Sequence, residues 1–205
     1  FEDAIYEMLG CEIHTFDPTV KSPKNRTSIF YKIGLTNFGH GDEHSNRHLY
    51  HIALHHDHYR RLVNIPNSRL RNIGQIVDML GHSNRLIDIF KIDCEGCEYH
   101  VITTEFFEAL DSRNITIRQI QMEMHSPLPL AMDYKIVNQE GVEIIEGLFE
   151  VLRNAGYRIF HKEPNVIADN CGSCIEYAFI RIEHLPETEN CDQVSQLGQF
   201  HQSIS

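Results

Sequence analysis

Leu86-Ile87-Asp88-Ile89-Phe90-Lys91-Ile92-Asp93-Cys94-Glu95-Gly96-Cys97-Glu98 is the stretch from which the rest of the chain can be read. Leu86 to Ile92 is a nearly continuous apolar run, the pattern of a strand buried on both faces of a parallel sheet. Asp93, Glu95 and Glu98 then crowd around Gly96. Clustered carboxylates repel one another, a cost that a plain connection need not carry, so the acids mark this strand end as a candidate site. In an open α/β sheet the ligand sits outside the carboxyl ends of the strands, which is where they fall.

Working outward, strands and helices alternate. Phe1 to Leu9 reads as an amphipathic helix already under way. Glu12 to Pro18 is a short strand that ends in Asp17 and a proline unable to continue a ladder. Ile29 to Leu35 is a second strand, rich in aromatic and β-branched residues, and a long polar stretch from Thr36 to about Asn67 follows it. Ile73 to Leu80 has helical spacing and is capped by Gly81. Beyond the quoted stretch, a helix is expected over Tyr99 to Leu110, a strand over Ile117 to Met124, and a helix over Gln139 to Asn154 that Gly156 ends. Tyr157 to His161 and Tyr177 to Ile182 are the last strands, readable as a hairpin. The expected fold class is α/β: a Rossmann-like, doubly wound, mostly parallel sheet with a C-terminal antiparallel pair. One domain is expected over residues 1–184, and the polar, aperiodic segment 185–205 reads as a frayed tail.

Three strand ends carry candidate functional groups. Asp17 stands where a nucleoside-binding fold places a carboxylate for ribose hydroxyls, although a strand-end Asp equally serves as a turn or helix cap. Asp93 and Glu95 close the central strand, and Glu123 and His125 close the next one. Glu98 reads as a first-turn acid at the positive end of a helix dipole. A lone histidine is often a hydrogen-bonded structural residue. Beside three carboxylates, which favour its charged form, His125 is also the candidate base.

The eight residues Lys91-Ile92-Asp93-Cys94-Glu95-Gly96-Cys97-Glu98 resemble the K-I-D-x-E-G-x-E signature of FkbM-type methyltransferases and the related methyltransferase-like domain family. Thr15-Phe16-Asp17-Pro18 resembles the acidic end of that family's second strand, Ile33-Gly34-Leu35 its third, Glu123-Met124-His125 its fifth and Tyr177-Ala178-Phe179 its last. The resemblance implies S-adenosylmethionine as cofactor, with Asp17 toward the ribose and Leu35 near the adenine. It also implies that the family's first strand and Gly-rich loop, which hold the methionine moiety, would precede Phe1. The domain is therefore expected to be incomplete at its N-terminus.

Six cysteines include two Cys-x-x-Cys pairs, Cys94/Cys97 and Cys171/Cys174. Such pairs can hold zinc. Cys94 and Cys97, however, follow a buried strand and form no free knuckle, so buried thiols are the first expectation, a disulfide between the two loops is an alternative, and no stoichiometric zinc is expected. Seven histidines between His40 and His58 read first as a polar insertion, although their spacings of three and four could gather imidazoles on one helix face. Asn25-Arg26-Thr27 and Asn114-Ile115-Thr116 are glycosylation acceptors compatible with a secretory route.

Composition narrows the functional classes. The 29 acidic and 18 basic residues leave a formal charge of −11, which would repel a phosphate backbone, so nucleic acid is excluded as the expected partner. No stretch approaches the roughly 18 apolar residues needed to span a bilayer. Two functions compete. One is S-adenosylmethionine-dependent methylation of a hydroxyl on a small molecule or glycan, with His125 as base, Asp93 orienting and Glu95 as alternate base. The other is a catalytically inactive binding or structural module of the same fold, stabilised by zinc or a disulfide.

Overall fold

The computed structural model describes residues 1–20, 27–36, 69–94, 97–125, 139–164 and 174–182. In chain order the elements are α1 (Glu2–Leu9), β1 (His14–Phe16), β2 (Ile29–Tyr31), β3 (Gly34–Leu35), β4 (Leu70–Arg71), α2 (Ile73–Leu80), β5 (Leu86–Ile92), α3 (Glu98–Val101), α4 (Thr104–Asp111), β6 (Thr116–Met124), α5 (Gln139–Asn154), β7 (Tyr157–Pro164) and β8 (Ile175–Arg181). The four-stranded sheet runs β5-β6-β8-β7; β5 and β6 are parallel, while β8 is antiparallel to both β6 and β7. Two short parallel pairs, β1-β2 and β3-β4, stand beside it. The fold is mixed α/β with a mixed sheet, in keeping with the expected fold class, and the last two strands form the expected antiparallel pair.

Local chemistry sets the helix ends. Asn72 and Gln75 form a capping box at the start of α2, and Gly81 closes the helix at φ 65, a left-handed conformation that glycine adopts without steric cost. The helix expected over Tyr99 to Leu110 is two helices. Ile102 leaves the α region and Thr103 is extended, its hydroxyl accepting the N–H of Phe106 to cap α4. A threonine that caps a new helix competes with continuation of the old one. Similarly, Ile29 to Leu35 is divided at Lys32-Ile33 into β2 and β3, which pair with different strands.

The core lies between β5, β6 and β8 and the helices packed on them. Ile117, Ile120 and Met122 of β6, Phe179 of β8, Leu152 of α5, Val77 of α2 and Leu110 of α4 are all nearly inaccessible. The Tyr157 hydroxyl donates to the carbonyl of Ile117 at 2.7 Å inside this core, satisfying a polar group that burial would otherwise penalise. Burial on both faces of β5 is not observed. Leu86, Asp88 and Lys91 are exposed and only Ile92 is buried, because among the described residues β5 pairs on one edge alone.

Where β1 and β5 begin, Glu12, His14, His82 and Arg85 come together. His14 holds the Glu12 carboxyl below the usual range, and burial, assisted by the charges of His14 and Arg85, pushes His82 down. At the far end of β5, the Lys91 ammonium lies over the Phe1 ring, 5.4 Å from its centroid.

Removing core volume should cost far more than removing a cap. Phe179→Ala should destabilise by about 3–5 kcal/mol through lost burial and a residual cavity. Asn72→Ala should cost about 1 kcal/mol. Urea unfolding followed by circular dichroism measures both; equal losses would show that Phe179 is not a core residue.

Candidate active site

Register builds the site. Ile92 of β5 pairs with Met122 of β6, so Asp93 and Cys94 leave the sheet beside the Glu123-Met124-His125 end of β6. Met124 in turn pairs with Ile175, which brings Cys174 to the same edge from the antiparallel side. Three chain segments distant in sequence thus converge on one sheet edge.

His125 is the centre of this group. It is 8% exposed, with Nδ1 3.0 Å from Glu98 Oε1 and Nε2 4.0 Å from Asp93 Oδ1. Glu98 is 0% exposed, its Oε1 also accepts the backbone N–H of Cys94 at 3.2 Å, and its Oε2 takes no hydrogen bond among the described residues. A buried carboxylate is costly unless it is paired, and the imidazole with the backbone donor is that compensation. The Tyr99 hydroxyl donates to the His125 carbonyl at 2.6 Å, tying the end of β6 to α3. Asp93 is 42% exposed, so the group opens outward on its side while Glu98 closes it from within.

The sequence reading of Glu98 as a first-turn acid holds, and the structure adds its burial. The residue occupies the first turn of α3, and the turn faces inward. No local signal in the sequence marks that burial, which depends on what packs above the turn. Glu123 is 8% exposed and lies close to His125 and Cys174. Glu95 lies outside the described residues.

Asp17 and Leu35 form a second group. The Asp17 Oδ1 accepts from Thr19 N at 2.7 Å, Thr19 Oγ1 at 2.6 Å and Val20 N at 3.1 Å, so one of its oxygens caps its own turn. Among the described residues its Oδ2 takes no hydrogen bond. Leu35 is half-buried against the core, and the neighbouring Gly34 sits so close to Pro18 and Leu70 that an added Cβ would lie 3.0 Å and 2.9 Å from their side chains. The turn after β1 and the strand β3 are thereby pressed together.

The cysteines correct a further expectation. Cys94 and Cys97 are joined to each other by a disulfide, with Cα atoms 5.4 Å apart, and Cys174 is disulfide-bonded as well. The geometry is available because the chain turns between β5 and α3, bringing the Cys94 carbonyl within 3.4 Å of the Cys97 N–H. Neither buried thiols nor a four-thiolate zinc site describes this pair. Glu123, His125 and Cys174 place potential metal-binding atoms within 4.8 Å of one another, but a disulfide sulfur is not the thiolate ligand that zinc requires. The histidines of 40–58 and the acceptor Asn25 lie outside the described residues; Asn114 is exposed in the turn before β6.

Comparison with known proteins gives the same direction. Residues 1–181 match the family described as methyltransferase domain. The chain is 27% identical over 152 residues to the human protein named probable methyltransferase-like protein 24, covering 74% of this chain and 36% of that protein. The rat protein of the same name is 27% identical over 158 residues, with the same coverages. The chain thus spans about a third of the length of the curated relatives it matches. No solved structure matches.

If Glu98 and His125 are coupled, truncating both should cost less than the sum of the single truncations. A double-mutant cycle of Glu98→Ala and His125→Ala, read by denaturant unfolding, should give an interaction energy of about 0.5–3 kcal/mol. Strict additivity would mean that the contact contributes nothing.

Proposed function

The chain belongs to the methyltransferase-domain family, and on that premise we propose that it is part of an S-adenosylmethionine-dependent enzyme methylating a hydroxyl of a small molecule or glycan. The observation that carries the reading is the buried Glu98–His125 pair at the carboxyl ends of β5 and β6, with Asp93 opening beside it. S-adenosylmethionine, when bound, supplies a methyl group on a sulfonium centre, open to in-line displacement. A hydroxyl acceptor must lose its proton as it attacks, so the protein's tasks are positioning and general-base assistance.

The residues present suit those tasks. With Glu98 Oε1 accepting from His125 Nδ1–H, Nε2, which faces Asp93 at 4.0 Å, would be the nitrogen that takes the acceptor's proton. Asp93 orients the acceptor hydroxyl or the imidazole, and Glu95 is the alternate base. At the second group, Asp17 Oδ2 supplies a carboxylate oxygen for ribose hydroxyls while Oδ1 keeps the loop in shape, and Leu35 offers an apolar wall for adenine. The disulfides support an oxidising, secretory compartment, and Asn114 of the second acceptor tripeptide is exposed.

A second reading, a catalytically inactive module of the same fold, is favoured by one observation. The Asp17 oxygen that the structure engages serves the chain's own turn, a duty a scaffold would also need. Cofactor binding separates the two readings. In a form of the protein extended ahead of Phe1, Asp17→Ala should weaken binding of S-adenosylmethionine or its demethylated product. The loss is about 1.5–3 kcal/mol, the range for hydrogen bonds to a charged group. Calorimetry with unchanged affinity would remove Asp17 from the site; no binding by the parent would favour the module.

His125→Ala should lower kcat by about 10²–10⁴ with cofactor affinity nearly unchanged, since the imidazole acts on the acceptor. In the parent, turnover should fall toward acid pH as the imidazole takes up a proton, and that acid limb should vanish in the mutant. Full turnover with the acid limb intact would transfer the role of base to another group.

A further inference from the structure

At the opposite pole of the sheet, where β1 and β5 begin, we propose a zinc site formed by Glu12, His14 and His82. All three place one donor atom within 4.8 Å of the other two. Glu12 and His14 stand two residues apart along the chain at the start of β1, and in extended backbone that spacing puts their side chains on one face. His82 arrives from a different segment, immediately after the left-handed Gly81 that ends α2, and its ring meets that of His14 edge-on with centroids 5.0 Å apart.

The distances suit a small tetrahedral ion. Zinc bonds to imidazole nitrogen and carboxylate oxygen are about 2.0–2.2 Å, which separates neighbouring ligand atoms by about 3.3 Å. His14 Nε2 and Glu12 Oε1 already lie 3.0 Å apart, so side-chain rotation alone can open the space. Two histidines and one glutamate leave a fourth position for water, a known zinc donor set.

Surrounding residues support the ligands. His14 Nδ1 lies 3.3 Å from the Tyr31 hydroxyl, which would accept Nδ1–H once zinc takes the place of the Nε2 proton that His14 now donates to Glu12. Arg85 Nη1 lies 3.3 Å from Glu12 Oε2, the carboxylate oxygen that the metal would not need.

The site has a mechanical consequence. Among the described residues β1-β2 shares no ladder with the β5-β6-β8-β7 sheet. A metal held by β1 and by the turn leading into β5 would clasp the two together, on the side away from His125. This donor set is independent of the cysteines, which supply no ligand to it.

The test uses the untagged, metal-stripped 205-residue chain with Zn²⁺ as the only probe. Equilibrium dialysis with metal analysis should show one Zn²⁺ more per chain in the parent than in Glu12→Gln/His82→Asn, two substitutions outside the core. At about a hundredfold excess over Kd, zinc should raise the parent's Tm by about 5–10 °C, and the variant's by much less. On the parent alone, the ring nitrogens of His14 and His82 should shift together in ¹⁵N spectra up to one equivalent. Equal stoichiometry in both proteins, as binding by the histidines of 40–58 would give, or unshifted His14 and His82 resonances, would overturn the proposal.

Discussion

The parallel pairing of β5 with β6 is the constraint on which the candidate site depends. With Ile92 opposite Met122, the acids after β5 and the histidine after β6 reach the same sheet edge together. A one-residue slip would turn every β6 side chain to the other face, burying Gln119 and Gln121 where Ile120 and Met122 now lie. The core therefore enforces the register, and the register delivers the site. Phe179 on β8 and Leu152 on α5 stabilise the position of an imidazole they do not touch chemically.

Electrostatics explains why that imidazole is held so firmly. Glu98 is deeply buried, and a carboxylate in that position needs compensation. His125 and the Cys94 N–H provide it, while the Cys94–Cys97 disulfide restricts the turn that carries Glu98 toward them. Covalent and polar restraints thus act on the same few residues. Such a bond limits the freedom of the unfolded chain, and here it also spans the segment linking the strand-end acid Asp93 to α3. Asp93, 42% exposed, marks the more open side of the pair.

Much of the fold was legible in the sequence because apolar periodicity and glycine stops are local signals. Leu86–Ile92 and Gln139–Asn154 coincide with β5 and α5, and Gly81 ends α2 as expected. The discrepancies arise where tertiary context decides. Thr103 caps a new helix inside an apolar run that reads as one, and β5 is less buried than its composition suggests because pairing, not composition, sets exposure. Within the site, Asp93 and His125 could be picked out as strand ends, whereas the inward turn of Glu98 could not, since burial of a first-turn acid depends on what packs above it. The cysteine state was equally hidden: a Cys-x-x-Cys spacing is compatible with thiol, zinc or disulfide, and only the turn geometry chooses. His14 and His82 lie 68 residues apart in the numbering, so no local pattern links them.

The central claim is that Glu98 holds His125 in the tautomer whose Nε2 is ready to accept a proton. Nitrogen-15 NMR of the imidazole, with the signals assigned by loss in His125→Ala, reads this directly near neutral pH. The predicted spectrum has the proton on Nδ1 and an unprotonated Nε2. A proton on Nε2, with Nδ1 accepting from a protonated Glu98, would contradict it, as would an imidazolium that persists well above pH 7.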